Sequence, residues 1–414
     1  MPALQPVRGT RDILPDEMRR HRKVVETARE LAERYGYLEM ITPVFEFSEV
    51  FRRTLGETSD IVTKEMYTFA MKEGEEITLR PEATAGIARA FISGGLAHQL
   101  PLKVFYAGPM FRYERPQKGR QRQFHQIDVE LLGVAQPLGD VEIIALGAHI
   151  LDGLGALGRT TLEVNTLGDP DSRNRYRAAL VEYFETRKDR LSKDSIERLA
   201  RNPLRILDSK DPRDRDVIAG APLFGDYLNR ESAAYFEAVK AGLDSLGIGY
   251  VHNPRLVRGL DYYTHTAFEF TTAELGAQGA VLAGGRYDGL IEMMGGPPTP
   301  GTGWAAGVER LAMLLAESPP PRRPICVVPV GGKAETAALA LTQRLRRAGL
   351  AIDLGFGGSL AKRMKRADKL GARAAVLLGE DELAQNAATV RDLESGEQEL
   401  VCLDALTERL ARFG

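Results

Sequence analysis

Cysteine is almost absent: of 414 residues only Cys326 and Cys402 carry a thiol, and they form no CxxC pair. A disulfide framework and a thiolate zinc site are therefore excluded as organising devices. The six histidines, His21, His98, His125, His149, His252 and His265, fall at no metal-ligand spacing such as HExxH, so their pattern gives no expectation of a protein-bound metal. No apolar run approaches the roughly 20 residues that span a bilayer, and the first residues lack the hydrophobic core of a signal peptide. Neither sign of charge is in large excess, the formal net charge being -2. The molecule as a whole is no electrostatic match for nucleic acid, so any RNA contact must be local. A soluble cytoplasmic protein is the expectation.

What the chain does have is 43% hydrophobic and 27% charged residues, enough over this length for two or three domains with cores of their own. Its most distinctive stretch runs from Phe105 to Gly133, FYAGPMFRYERPQKGRQRQFHQIDVELLG. An apolar run ends at Arg112, a turn-rich segment follows, and alternation resumes from Gln123 to Glu130. This pattern predicts two antiparallel strands joined by a long cationic loop. Five Arg or Lys lie between Arg112 and Arg122, Lys118 and Arg120 among them. They form either a solvated face or a cradle for an anion. Two features favour the cradle. Arg112 follows Met110 and Phe111 in an apolar run and, if covered, needs an acidic or phosphate partner. Period two also places Phe124, Gln126, Asp128 and Glu130 on one face, where an aromatic plate beside an arginine suits a nucleobase with its phosphates.

Upstream, Met18, Val24, Val25, Ala28, Leu31 and Ala32 recur at helical spacing until Gly36, and LEMITPVFEF reads as a strand interrupted at an edge or bulge by Pro43. In TLRPEATAGIARAFI, Leu79 ends a strand, and Ala85, Ile87, Ala88 and Phe91 share a helical face. Glu82 before that helix either favours its dipole or accepts from a cation. Gly139 to Leu157 reads as a second amphipathic helix and TLEVNTLG as a strand. From Asp169 to about Gly242 the chain is charged, helical and without strand pattern, which marks an insertion. LVRGLDYYTHTAFEF carries Arg258, Asp261, Tyr262 and Tyr263 into an alternating strand, its tyrosines serving packing or a ligand. AGGRYDGL is a glycine-rich turn bearing Tyr287. GTGWAAGVERLAML is a short strand with the single Trp304, then a helix bearing Arg310. SPPPRRP is a stiff spacer. Beyond it, alternating strand, helix, strand, helix and strand predict a small α/β unit with a mostly parallel sheet. Its Gly355, Gly357 and Gly358 make an incomplete nucleotide fingerprint, and AKRMKRADK is a basic helix suited to solvation or RNA.

These motifs, in this order, resemble those of the class II aminoacyl-tRNA synthetases. FRYERPQKGRQRQFHQ is similar to motif 2, and with LVRGLDYY and GGRYDGL it resembles the histidyl-tRNA synthetase version in particular. The first helix, the strand and Pro43 resemble motif 1, and GTGWAAGVERLAML resembles motif 3. His265 stands just past the core signature, where arginine or another polar residue is expected. The resemblance covers nearly the whole chain. It implies an α+β fold: a class II catalytic domain with an antiparallel sheet over residues 1–168 and 243–318, a helical insertion at 169–242 near the tRNA acceptor arm, and a C-terminal α/β anticodon-binding domain at 325–414.

The resemblance also implies a ligase. L-histidine and ATP, with Mg2+, form histidyl-adenylate, which passes its histidyl group to the 3′ end of tRNA(His); motif 1 implies a homodimer. Arg112, Arg258 and Arg310 are implied as the catalytic cations, and Arg112, Arg120, Phe124, Arg258 and Arg310 as the ATP site. Glu82, Thr84, Gln126, Glu130, Tyr262, Tyr263 and Tyr287 are implied as the histidine site. A second reading is a non-catalytic, synthetase-like regulatory subunit of ATP phosphoribosyltransferase, a histidine-sensing protein on the same fold. That family typically lacks the C-terminal unit and tolerates decay of these arginines, and both are present here.

Overall fold

The computed structural model describes residues 3–413 other than 57, 58, 60, 73, 118, 259–261, 277 and 278. Lys118 and the Gly259, Leu260 and Asp261 stretch of the tyrosine-bearing motif thus lie outside the described residues. The chain divides into two compact units, Met1–Pro319 and Pro320–Gly414.

In the first unit α1 (Pro15–Arg34) opens on proline with Asp16 and Glu17 in its first turn, all favourable at a helix N-terminus. It is followed by β1 (Leu38–Glu39), β2 (Phe45–Phe47), α2 (Ser48–Leu55), β3 (Tyr67–Ala70), β4 (Glu76–Leu79), α3 (Thr84–Ser93), β5 (Leu102–Phe111), β6 (Gln123–Leu132), α4 (Pro137–Gly153) and β7 (Thr161–Thr166). The helices α5 (Pro170–Glu185), α6 (Lys193–Arg201), α7 (Arg215–Ala219) and α8 (Arg230–Ser245) come next. The chain then returns through β8 (Val251–His252), β9 (Thr264–Thr271), β10 (Ala280–Arg286), α9 (Leu290–Met293), β11 (Gly301–Gly307) and α10 (Val308–Leu314).

One eight-stranded sheet runs in the order β1-β5-β6-β11-β10-β9-β7-β8, and β2, β4 and β3 form a small sheet of their own. The outermost ladders, β1 with β5 and β7 with β8, are parallel; the central ones are antiparallel. The alternation of β6 separates structure from chemistry. Ile127, Val129 and Leu131 join residues of α1, α4 and α8 in the main core, each contributing on the order of 2 kcal/mol by burial. Trp304 of β11 belongs to the same core, and its indole N–H donates to the Ile143 carbonyl at 2.9 Å. Gln126, Asp128 and Glu130 face the other way by the period of two.

AGGRYDGL differs from the expected turn, because Ala283 to Arg286 are the end of β10 and the chain bends only after them. A Cβ on Gly284 would meet the Gly303 carbonyl, and one on Gly285 the Thr266 carbonyl. These glycines therefore serve close approach of neighbouring strands.

The second unit contains β12 (Ile325–Pro329), α11 (Ala334–Arg347), β13 (Ile352–Leu354), α12 (Leu360–Lys369), β14 (Ala374–Leu378), α13 (Glu380–Ala384), β15 (Ala387–Asp392), β16 (Gln398–Cys402) and α14 (Leu406–Leu410). Its sheet order is β13-β12-β14-β15-β16. β12 pairs in parallel with β13 and β14, but the β14–β15 and β15–β16 ladders are antiparallel. The expected mostly parallel sheet is thus corrected to a mixed one. The missed hairpin has one charged face, so only residues such as Val390 and Val401 enter the core. Helix α12 buries Arg363 and Ala367 and exposes Lys362, Lys365, Arg366 and Lys369.

Candidate active site

Register on the sheet face opposite the main core places Glu130 of β6 against Gly303 of β11, and Gln126 against Gly307. A Cβ at Gly303 would occupy the space of the Glu130 carboxyl, and one at Gly301 that of the Tyr287 ring. Gly301 and Gly303 of this strand thus make room for both groups. Glu130 is 1% exposed. Its carboxyl accepts from the Thr84 hydroxyl at 2.5 Å and, on the other oxygen, from the Tyr287 hydroxyl.

Thr84 begins α3, and its amide and that of Ala85 donate to Glu82 at 3.1 and 2.7 Å. Glu82 therefore satisfies two N–H groups that a helix start leaves without partners, while remaining on the cavity wall. Tyr262 lies 4.7 Å from Tyr263 and 5.7 Å from Tyr287, centroid to centroid, so the three rings form an aromatic corner beside these carboxyls.

The cations come from the hairpin loop, the tyrosine motif and α10. Arg112 donates from Nε to the Pro81 carbonyl at 2.8 Å and stands 5.4 Å from the Phe124 ring centroid. Arg120 pairs with Glu114 at 3.0 Å, and Glu114 is 3.9 Å from Arg112. Arg258 pairs with Glu269 and lies 5.4 Å from the Tyr263 ring centroid. Arg310 donates to the carbonyls of Gly119, at 3.3 Å, and Ala280.

These groups surround a cavity of about 240 Å³. It brings together every site residue expected from the sequence except Glu130: Glu82, Thr84, Arg112, Arg120, Phe124, Gln126, Arg258, Tyr262, Tyr263, Tyr287 and Arg310 all line it. Glu130 stands behind the wall, covered by Thr84 and Tyr287. Glu114, Glu269 and Glu309 also line the cavity, and sequence reasoning gave them no role there. Glu269 carried a signal, being the one charged residue between Phe268 and Phe270 in an alternating strand.

Burial pushes Glu130 up to about 8, outweighing the two hydroxyls that favour its ionised form. Burial also raises Glu82, and it raises Asp128 well above the usual carboxylate range, with the charges of Glu130 and Glu82 adding to the effect. Gln126 Oε1 and both Asp128 oxygens are buried without hydrogen-bond partners. This end of the site is an excess of acceptors. At the other end burial lowers Arg310, and the neighbouring Arg120 lowers it further, a like-charge cluster that a polyanion relieves. Burial opposes the charge of Arg258, but Glu269 leaves it raised overall.

A mixed sheet, antiparallel at its centre, whose motif 2 hairpin carries arginines over a pocket of buried acceptors, followed in the chain by a separate α/β unit, defines a class II aminoacyl-tRNA synthetase. The family profile described as histidyl-tRNA synthetase matches residues 9–311, and that described as anticodon binding domain matches 324–412. Histidine–tRNA ligase of Rhodospirillum rubrum is 62% identical over 414 residues, covering 100% of both chains. That of Gluconacetobacter diazotrophicus is 55% identical over 411 residues, 99% of each. The crystal structure of apo S. aureus histidyl-tRNA synthetase matches with a TM-score of 0.82 and 38% identity, over 98% of this chain and 99% of that one. The chain belongs to the histidyl-tRNA synthetase family, and it is a ligase that joins histidine to tRNA. The regulatory-subunit reading has less support, since the ligases match over the full length. Among the described residues no helix is long and apolar enough to cross a membrane.

Proposed function

We propose that this one cavity activates L-histidine with ATP and then delivers it to the 3′ end of tRNA(His). The observation that carries this reading is the polarity of the site: buried acceptors around Glu82 and Gln126 at one end, and the Arg112, Arg120 and Arg310 cluster at the other. Glu82, Gln126 and Thr84 accept the three N–H donors of the histidine ammonium. The imidazole lies against Tyr262 and Tyr263, and Glu130 selects it by orienting the hydroxyls of Thr84 and Tyr287. Phe124 stacks on adenine. Arg112 and Arg258 flank the α-phosphate, while Arg310 and Arg120 hold the outer phosphates.

In the first step a carboxylate oxygen of histidine attacks the α-phosphorus, and the bond to pyrophosphate breaks. Two anions meet in that step, so fixed cations are where the rate is gained. In the second step a terminal ribose hydroxyl attacks the histidyl carbonyl and AMP leaves. Mg2+ enters with ATP as part of the substrate, and the wall carboxylates Glu114 and Glu269 are the oxygen donors that suit it.

Residues 1–168 and 243–318 make up the catalytic domain in this reading, 169–242 the insertion near the acceptor arm, and 325–414 the anticodon-binding domain. The exposed cations of α12 suit an RNA backbone. Exposed Phe45, Phe47 and Phe69 on the small sheet support a homodimer through the motif 1 region. The test is calorimetric titration of histidine into the wild type, Glu130→Gln and Tyr287→Phe. Both variants are expected to bind at least about tenfold more weakly. Unchanged affinity in both removes this carboxyl and its partner from histidine recognition.

A further inference from the structure

No histidine spacing points to a metal, yet the fold brings two histidines and a glutamate from three separate elements to one point. His21 lies in the second turn of α1, His125 on β6 and Glu309 in the first turn of α10. One donor atom from each falls within 4.8 Å of the others. The two rings meet edge to face, 5.8 Å between centroids. His125 Nδ1 is 2.9 Å from a Glu309 oxygen, and the His125 backbone N–H donates to the same carboxylate at 3.0 Å.

His21 is the member that hydrogen bonding leaves unexplained. It is 3% exposed, and its Nε2 is buried without a hydrogen-bond partner. The nearest carboxylate on its own helix, Glu17, stands 3.8 Å away and is engaged by Arg11. A buried imidazole nitrogen that bonds nothing carries an energetic cost, so something should occupy the space it faces.

We propose that His21, His125 and Glu309 form a binding site for a single zinc-class divalent cation. Two imidazole nitrogens with one carboxylate oxygen is a donor set for zinc and its transition-metal neighbours. Magnesium and calcium demand oxygen, so this site is distinct from the magnesium that enters with ATP. In the bound form His125 is the Nε2–H tautomer and turns its Nδ1 lone pair to the ion, and the Nδ1–Glu309 hydrogen bond is given up. The 4.8 Å spread exceeds the separation of ligands about 2.0–2.1 Å from one metal, so modest side-chain movement completes the site. Access is available: the His125 side chain is 31% exposed, and Glu309 lines the cavity. The ion ties α1 to the two elements that carry Phe124 and Arg310, the immediate neighbours of its ligands in sequence.

The experiment titrates cobalt(II) into the metal-free full-length chain, follows the visible absorption of the bound ion, and then displaces it with zinc. Cys402 is exposed and is a rival soft ligand, so a Cys402→Ser protein is titrated alongside, with folding of every variant checked by circular dichroism. The expected result is one tightly bound ion per chain, displaced by zinc but not by magnesium, retained in Cys402→Ser and weakened at least about tenfold in both His21→Phe and His125→Asn. His125→Asn decides alone if His21→Phe does not fold. Absence of a bound ion, or equal affinity in the histidine variants, overturns the proposal and leaves the cluster as hydrogen-bonded packing.

Discussion

Thr84 and Glu130 are joined by a hydrogen bond of 2.5 Å between the first residue of α3 and the centre of β6. It ties the helix that presents Glu82 to the strand that presents Gln126, which fixes the spacing of the acceptors at that end of the cavity. The same bond holds the Glu130 carboxyl behind the wall, where burial controls its protonation.

That protonation sets a pH dependence. A glutamate of the unfolded chain titrates near 4.5, whereas Glu130 is pushed up to about 8. Folding therefore takes up a proton between those values, and stability falls as pH rises through the window. Glu130→Gln lacks the ionisation. Between pH 6 and 8 the wild type is expected to lose about 2 kcal/mol more than the variant, read from urea unfolding of both proteins. Parallel pH profiles contradict this.

Arg258 is held by Glu269 beside the aromatic corner and lines the cavity. Arg258→Ala is expected to slow adenylate formation roughly a hundredfold or more while histidine still binds. Rapid-quench rates within a few-fold of wild type would remove Arg258 from the transition state.

Arg286 and Asp140 are both fully buried and pair at 2.9 Å, with Tyr235 and Thr266 donating to the same carboxylate at 2.9 and 2.6 Å. Asp140→Ala strands a buried guanidinium and is expected to cost about 3–5 kcal/mol. A urea midpoint close to wild type shows instead that Asp288, 2.8 Å from Arg286, suffices.

Gly303→Ala sets a methyl group against the Glu130 carboxyl and is expected to abolish measurable histidine binding. Gly357→Ala, which meets nothing within 4 Å, is expected to be neutral. Equal calorimetric titrations for the two variants contradict the packing argument.

The central hairpin was legible because two cues coincide: alternation sets the face of β6, and an arginine inside an apolar run demands an anion. The places of Arg258 and Arg310 on the cavity wall were legible only through resemblance, since neither stands out from its local sequence pattern. Depth was not legible. Period two puts Glu130 on the same face as Gln126, but only the packing of α3 and Tyr287 sets one behind the cavity wall and leaves the other, also buried, on it. Arg286, in the glycine-rich stretch that bears Tyr287, proves to be a buried partner of Asp140 on α4. The His21, His125 and Glu309 cluster could not be seen at all, since no local spacing links three elements so far apart in the chain.

The most direct test is exchange of labelled pyrophosphate into ATP, run with each amino acid in turn. Exchange with histidine alone, lost in Arg258→Ala, is the predicted result and joins the pocket, the arginines and the specificity in one reaction. Histidine binding without exchange in the wild-type chain contradicts the account, because a site that holds histidine beside these arginines must then be a sensor and not a catalyst.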